Sequence, residues 1–247
     1  MKRVLLTISY DGTAYCGWQV QPNGITVQET LQNGLEKLLG HRPCVTGCSR
    51  TDSGVHARQF CCHLDCDERI PENAFLKGLN SILPDDIAVV AVREVENDFH
   101  ARYRAEGKNY VYSFYWGLPD PFLSRYALRL ETKPDIVLMN EFCEGLLGTH
   151  DFEGFSSSGR SVEDTVRMVS RCETVEDGRI IRFSISANGF LYNMVRIAAG
   201  TALEVGMKRL PADCAAEIFK TKKRSLAGPT LPPQGLILNE VFYKWGE

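Results

Sequence analysis

The chain lacks any apolar run of the roughly 18 residues that a membrane-spanning helix needs. Its first residues, Met1 to Val4, lead directly into a strand-like alternation instead of the apolar core of a signal peptide. No low-complexity tract interrupts the 247 residues, and 44% hydrophobic with 24% charged residues is an ordinary globular composition. We therefore expect a soluble protein of the cytoplasm with no membrane partner.

The sequence also lacks the short motifs of several common enzyme classes. It has no Walker A loop, no G-x-G-x-x-G fingerprint, no G-x-S-x-G turn and no H-E-x-x-H pair. Nucleotide hydrolysis, dinucleotide chemistry and the commonest hydrolase mechanisms therefore lose support. The formal net charge of −3 argues against nonspecific coating of nucleic acid, although it is compatible with a local basic groove.

Nine cysteines are present, an odd number without the regular spacing of a disulfide scaffold, which favours reduced thiols. Several cysteines and one histidine fall close together and raise the alternative of a zinc site: Cys44, Cys48, Cys61, Cys62, His63 and Cys66. The paired C-x₂-C spacing of common zinc sites is missing, and the adjacent Cys61 and Cys62 would point to opposite faces of a strand. We expect buried thiols and no metal.

The first half of the chain predicts the order β-α-β-β-α-β. Arg3–Tyr10 alternates as a half-buried strand does, and Thr26 with Glu29 forms a capping box that opens a helix ending at Gly40. The other expected elements are two strands at 44–49 and 58–66, a helix after Pro71 and a strand at 87–95. This order is the split βαβ unit of ferredoxin-like domains.

The second half predicts the same order again. The expected elements are strands at 108–116, 167–176, 179–187 and 237–243, a helix from Ile136 ending at Gly148, and a helix at 190–205. Asp177-Gly178 is a strong hairpin signal. We therefore predict an α+β fold of two ferredoxin-like or RRM-like domains of similar topology, residues 1–105 and 106–247, with a groove between them that would suit a ligand.

One polar turn, Gly47 to Ala57, places Arg50, Thr51 and Asp52 between two predicted strands. Asp-Ser-Gly is also typical of an ordinary hairpin turn, because Asp and Ser bond nearby backbone amides and Gly accepts positive φ. The number of charged and polar groups crowded there, which have no packing role, favours a functional site. Asp52 is the candidate reactive carboxylate.

Arg196 lies within Met194-Val195-Arg196-Ile197, on a predicted helix with little polar surface. Its guanidinium must either reach water along the helix surface or pair with a fixed partner, because an unpaired buried charge costs several kcal/mol. As a partner of Asp52, it would keep that carboxylate ionised in a pocket that would otherwise raise its pKa.

Aromatic and basic residues alternate at several places. Tyr110 lies on a strand with two other aromatic residues, where it either packs in the core or stacks on a nucleobase. Phe99-His100-Ala101-Arg102 interleaves both kinds of residue, and a basic run occupies 220–224. Taken together, these residues indicate phosphate contacts to a nucleic acid.

The motifs as an ordered set resemble the TruA-type tRNA pseudouridine synthases over the whole chain. Arg50 to Ala57 is similar to that family's G-R-T-D-[AS]-G-V-H-A block, with Ser49 in place of its first glycine. Lys108 and Leu231 are two further departures, and none affects Asp52. Further matches include Tyr10-Asp11-Gly12-Thr13, Gly17-Trp18-Gln19, Phe99 to Arg102, Tyr110-x-Tyr112, Gly148-x-His150-Asp151-Phe152, Asn193 to Arg196, Ala227-Gly228-Pro229-Thr230 and Gly235-Leu236-x-Leu238.

The resemblance implies cofactor-free isomerisation of uridine to pseudouridine at positions 38–40 of the tRNA anticodon stem-loop, by a homodimer. It implies that Asp52 is the catalytic aspartate, that Arg196 pairs with it and that Tyr110 packs on the target base. Arg50, Arg102 and Leu238 would contact the substrate. Whether Asp52 attacks the base, attacks the sugar or removes a ribose proton is left open by the sequence.

Two alternatives of other classes remain. One is a catalytically silent RNA-binding module of RRM-like sheets, although RRMs give no reason for Arg50-Thr51-Asp52 and carry a different aromatic signature. The other is a zinc-dependent nucleic-acid-binding protein built on the cysteine cluster.

Overall fold

The computed structural model describes residues 1–67, 69–159 and 163–245. The strands are β1 (Lys2–Tyr10), β2 (Thr46–Gly47), β3 (His56–Cys66), β4 (Ile87–Val95), β5 (Ala105–Trp116), β6 (Leu128–Leu130), β7 (Gly148–Asp151), β8 (Val166–Asp177), β9 (Ile180–Ala187) and β10 (Leu236–Tyr243). The helices are α1 (Val27–Leu39), α2 (Ile136–Glu144), α3 (Met194–Gly206) and α4 (Cys214–Thr221). Ala74–Leu79 is a π-helical segment, and short 3₁₀ turns occupy Gly12–Ala14, Glu153–Phe155, Arg224–Leu226 and Pro233–Gly235. The fold is therefore mixed α+β.

The chain divides into two compact units, Met1–Glu106 with Ile237–Glu247, and Gly107–Leu236. The sequence predicts the last strand in the second domain, but residues 237–245 belong to the first unit, because β10 pairs in parallel with the start of β3. The last two residues of the second predicted domain lie outside the described residues.

The first unit is built on the strand order β4-β1-β3-β10. β1 is antiparallel to both β3 and β4, and the two-residue β2 pairs with the far end of β3. The predicted strand at 44–49 is thus reduced to Thr46–Gly47. The turn that connects β2 to β3 therefore leads into the end of β3 that pairs with β10.

Helix α1 begins and ends where its sequence predicts. The Thr26 side chain accepts a hydrogen bond from the Glu29 amide at 3.3 Å, and Gly40 ends the helix at φ 78°. On its apolar face Val27, Leu31 and Leu35 are fully buried, whereas Leu38 and Leu39 are half-buried. The π-helical segment lies against it, with Gly78 facing Leu38. This packing covers the sheet that positions the turn.

The second unit is built on the antiparallel order β5-β9-β8-β7, with β6 parallel to β5. The hairpin between β8 and β9 turns at Gly178, whose φ of 61° explains the glycine. Helix α2 packs on β8 and on α3. Helix α3 begins at Met194, four residues later than predicted, because Asn193 adopts the left-handed conformation with φ 60°.

No helix in the described part of the chain is long and apolar enough to span a membrane.

Candidate active site

The turn that carries Asp52, Arg50–Val55, is held by the loop that follows β1. In that loop, Tyr15 offers its carbonyl oxygen to the Gly54 amide at 3.3 Å and to the Ser53 hydroxyl at 3.2 Å. Gly54 itself has φ 77°, which the tight turn requires. The turn is therefore fixed from outside its own segment, unlike a simple hairpin connection.

Two glycines allow this loop to approach the turn closely. A Cβ at Gly12 would lie 2.0 Å from the carbonyl oxygen of Val55, and a Cβ at Gly17 would lie 2.4 Å from that of Thr51. Both distances are far below van der Waals contact, and the obstacle is backbone in each case. Any side chain at position 12 or 17 would collide with the backbone of the turn, which explains why both motifs contain a glycine.

Asp52 sits between anchored neighbours with its side chain partly exposed. Its carbonyl oxygen accepts the Val55 amide at 3.2 Å, and the Trp18 amide bonds the carbonyl of Thr51 at 3.2 Å. The Thr51 hydroxyl is buried and lies 2.8 Å from the Tyr10 hydroxyl. The carboxylate is therefore presented by a rigid backbone, as a reacting group requires.

His56 links the end of the turn to the start of the same loop. Its buried ring places Nδ1 3.1 Å from the Gly12 amide nitrogen and 3.0 Å from Oδ1 of Asp11. That Asp11 oxygen also accepts hydrogen bonds from the amide and hydroxyl of Thr13. These contacts make the loop and the turn one hydrogen-bonded assembly.

A cavity of about 250 Å³ opens beside this turn within the first unit. Two of the predicted substrate-binding residues, Arg50 and Arg102, both line it. Both side chains are exposed, and within the described residues the Arg50 guanidinium has no hydrogen bond or ion pair. The structure thus brings together two cations that the sequence placed 52 residues apart.

Leu238 also belongs to the first unit. It lies on β10, where it is fully buried and paired with Ala57 in parallel register. Ala57 follows His56 at the beginning of the strand that leaves the turn. Leu238 therefore packs close to the base of the turn, and its contact with substrate stays a prediction.

The two site residues of the second unit are well ordered by their own surroundings. Tyr110 on β5 is 6% exposed and meets the ring of Phe190 edge to face, with 5.1 Å between centroids. Arg196 on α3 donates from Nε to the Leu231 carbonyl at 2.6 Å and from Nη1 to Oδ1 of Asn193 at 2.9 Å. The Arg196 side chain is thus fixed by polar partners.

The charge of Arg196 influences one further group in that unit. Burial raises the pKa of Tyr112 well above its usual range, and the Arg196 cation opposes this shift. Asp52 belongs to the first unit and Arg196 to the second, and the ion pair between them stays a prediction.

The cysteines are free thiols in the described part of the chain. Cys44 is exposed, whereas Cys61, Cys62 and Cys66 are buried, and burial raises the pKa of each of these three thiols. No group of three or more histidine, cysteine or acidic side chains among the described residues is arranged to hold a metal ion.

The basic run at 220–224 has structural partners. Lys222 pairs with Asp151 at 2.6 Å, and Arg224 donates to the Gly228 carbonyl at 2.8 Å and to the Thr230 hydroxyl at 3.1 Å. Arg224 thereby holds the motif at 227–230 in place, whereas Lys222 is tied to the motif at 148–152.

Residues that sequence reasoning did not single out also contribute to the cavity. Trp18, His100 and Tyr103 line it together with the two arginines. Trp18 stacks on Phe60 with 4.1 Å between centroids. Trp18 belongs to the motif at 17–19, and His100 and Tyr103 belong to the run of basic and aromatic residues at 99–104. That these residues line one cavity depends on the fold.

His63 supports this region from β3. Its Nδ1 accepts the Ala101 amide at 3.1 Å, so it holds the residue next to Arg102. Burial, together with the nearby Arg3 and His100 charges, lowers the pKa of His63 to about 4, while Asp65 opposes the shift. The ring is neutral at pH 7.

We expect acid to destabilise the protein through His63. An unfolded histidine binds a proton near pH 6.5, whereas the folded one does so near pH 4, so the unfolded state binds more protons between these values. From pH 6.5 down to pH 4, the free energy of unfolding should fall by about 1–3 kcal/mol on this account. Urea unfolding at several pH values measures it. His63→Gln keeps an acceptor for the Ala101 amide and should show a shallower loss; parallel curves for both proteins would contradict the assignment.

The comparisons with known proteins agree on one family. A family profile described as tRNA pseudouridine synthase matches residues 6–104 and 142–244. Proteins named tRNA pseudouridine synthase A from Clostridium kluyveri and Clostridium acetobutylicum are each 42% identical over 244 residues, which cover 98% of this chain and 100% of the relative.

A solved structure of the archaeal box H/ACA sRNP Nop10–Cbf5 complex is similar at 16% identity and a TM-score of 0.34, over 81% of this chain and 44% of that chain. That likeness is too weak to bear on function. The profile and the two relatives confirm the resemblance read from the motifs: this chain belongs to the tRNA pseudouridine synthase family, whose members are isomerases that act on uridine in tRNA.

Proposed function

We propose that this protein converts uridine to pseudouridine at positions 38–40 of the tRNA anticodon stem-loop, with Asp52 as the catalytic carboxylate. The observation that carries the proposal is the anchored turn, which presents a partly exposed carboxylate on a backbone fixed by Tyr15 and Trp18. The family assignment supplies the reaction and the tRNA substrate.

The reaction breaks the N1–C1′ bond of uridine and forms a C5–C1′ bond, with C5 losing a proton and N1 gaining one. It involves no net oxidation and no added atom. The detached uracil must turn in place, so the site has to present one reactive group precisely and exclude water. The fixed Asp52 turn suits the first requirement, and a buried aromatic such as Tyr110 suits the second.

The other site residues take proposed roles from the same reasoning. Arg196 pairs with Asp52 and keeps it ionised, Tyr110 packs on the target base, and Leu238 contacts substrate from β10. The target nucleotide must leave its stack to react, as in other enzymes that modify bases. Arg50 and Arg102 contact the RNA backbone, since their shared cavity has no carboxylate in the lining that the structure describes.

We further propose that each unit is a ferredoxin-like variant and that the protein works as a cytoplasmic homodimer. The strand orders β1-β3-β2 in the first unit and β5-β9-β8 in the second support the first part, because each follows the 1-3-2 arrangement of that fold. The family resemblance supports the second part. The groove predicted between the two halves stays a prediction.

The test of the function is an assay on unmodified tRNA transcripts, without added metal or cofactor. Pseudouridine should form in the wild-type transcript and fail to form when uridines 38–40 are replaced by cytidine. Modification that persists elsewhere in the substituted transcript would contradict the anticodon assignment. An absence of pseudouridine in both transcripts, with tRNA still bound, would favour the silent RNA-binding module.

Arg102→Ala should weaken tRNA binding and flatten its dependence on salt. Loss of one phosphate contact reduces the slope of log K against log salt by about 0.7–0.9. Filter binding at several salt concentrations measures this slope. The control is Arg69→Ala, because Arg69 is 89% exposed and pairs with Asp67 outside the cavity. Equal slopes for wild type and both variants would exclude a phosphate contact at Arg102.

A further inference from the structure

The cavity beside the Asp52 turn has an open aromatic face on its rim. Tyr103 is 77% exposed, yet one face of its ring is stacked on His100 with 4.2 Å between centroids and 28° between planes. A large aromatic side chain that is supported on one side and open on the other is suited to stack on a further planar group.

Backbone contacts hold this stacked pair in place. Nδ1 of His100 accepts the amides of Arg102 at 3.2 Å and of Tyr103 at 3.3 Å. His63, which itself bonds the Ala101 amide, meets the His100 ring edge to face at 5.1 Å. These contacts hold the His100 ring and the backbone of Tyr103 in place without a ligand.

The remaining lining suits a nucleotide. The two guanidinium groups of Arg50 and Arg102 are its charged side chains, and Gln19 adds an exposed amide for hydrogen bonding. Trp18 forms a buried wall that is fixed by stacking on Phe60. A volume of about 250 Å³ lies below the roughly 300–1,000 Å³ of sites for drug-sized ligands. A single nucleobase is smaller than a drug-sized ligand, so a cavity of this size suits one base.

We infer that this cavity is a nucleotide subsite, separate from the reacting uridine, that stacks one unpaired base of the tRNA on Tyr103 and holds its phosphate with Arg50 and Arg102. The inference rests on the proposed function, because it takes tRNA as the ligand. It assigns Tyr103 and His100 a role that lies outside the chemistry at Asp52. The subsite holds the RNA next to the target and contributes to binding.

The test is a double-mutant cycle in which substitutions at Tyr103 are combined with removal of single bases from the tRNA. Tyr103→Leu removes the ring but keeps an apolar side chain, and Tyr103→Phe keeps the ring. The RNA partners are tRNA transcripts that each lack the base at one unpaired nucleotide of the anticodon loop. Kd is measured for every combination, and thermal unfolding checks the folding of each variant.

Stacking predicts that Tyr103→Leu weakens binding by about 5- to 100-fold, whereas Tyr103→Phe retains most of the affinity. At one position, removal of the base should weaken wild-type binding by a similar factor and have little further effect on Tyr103→Leu. Phe122→Leu is the matched control, because Phe122 is 90% exposed and does not line the cavity.

Additive effects at every position, or wild-type affinity for Tyr103→Leu, would overturn the subsite. Pseudouridine formation by the wild type, measured in parallel, separates this outcome from a failure of the proposed function. Coupling without pseudouridine would leave the subsite standing and reject the reaction. Pseudouridine formation without coupling would support the reaction and reject the subsite.

Discussion

Asp52→Asn is expected to abolish pseudouridine formation, with kcat lowered by at least about 10⁴-fold. Asparagine keeps the size and the hydrogen-bonding shape of the side chain but removes its charge, its basicity and its nucleophilic oxygen. The turn itself is fixed by backbone bonds to Tyr15 and Trp18, which the substitution does not alter. The Kd for tRNA should therefore stay within about threefold of wild type, since a factor of three corresponds to less than 1 kcal/mol.

Single-turnover assays with excess enzyme measure the chemical step, and filter binding measures the affinity for tRNA. Asp85→Asn is the control, because Asp85 is exposed and lies outside the turn in the same unit. It should react at the wild-type rate. Comparable rates for wild type and Asp52→Asn would remove Asp52 from the mechanism. Loss of tRNA binding together with activity would point to a structural role.

Gly17→Ala should have the second largest effect, a loss of about 3–5 kcal/mol in the free energy of unfolding. The added Cβ would lie 2.4 Å from the Thr51 carbonyl oxygen, and the backbone at Gly17 has φ +79°. The strained backbone accounts for about 1–2 kcal/mol, and the collision with backbone atoms for the rest. Urea unfolding measures the loss. Any protein that still folds should react slowly, because Thr51 precedes Asp52.

Gly40→Ala separates the two contributions. Gly40 has nearly the same φ of +78°, but a Cβ there would meet no atom within 4 Å. Its substitution should cost only the backbone strain, about 1–2 kcal/mol, and leave activity unchanged. Equal losses of stability for Gly17→Ala and Gly40→Ala would show that the collision between the loop and the Asp52 turn adds nothing to the loss in the free energy of unfolding.

The sequence predicts elements whose signals are local. Helix α1 follows its capping box and its terminal glycine, and β4 has the predicted bounds. The start of α3 was wrong because Asn193 is left-handed, and its contacts are with Ser157 and Arg196. Such a conformation is stabilised by tertiary partners, so apolar periodicity alone does not reveal it.

The candidate site likewise has parts that the sequence predicts and parts that only the fold reveals. The motif around Asp52 is continuous in sequence and was identified there, and the resemblance of the motifs implied that Arg50 and Arg102 contact the substrate. Their common cavity was not predicted, because it requires the turn before β3 and the segment after β4 to meet. The close approach of Gly12 to Val55 is equally invisible without the fold, although the motif that contains Gly12 was noticed.

The pairing of β10 with β3 has a consequence for the order in which the protein matures. The Tyr243 hydroxyl donates to the Ala101 carbonyl at 2.6 Å, across a separation of 142 residues. At about 5–20 residues per second, a ribosome needs roughly 7–28 s to synthesise that stretch. Throughout this interval the nascent first unit has an unpaired strand edge at the start of β3, which is a site for misassociation. The region that carries the Asp52 turn is therefore completed only after residue 243 has been made.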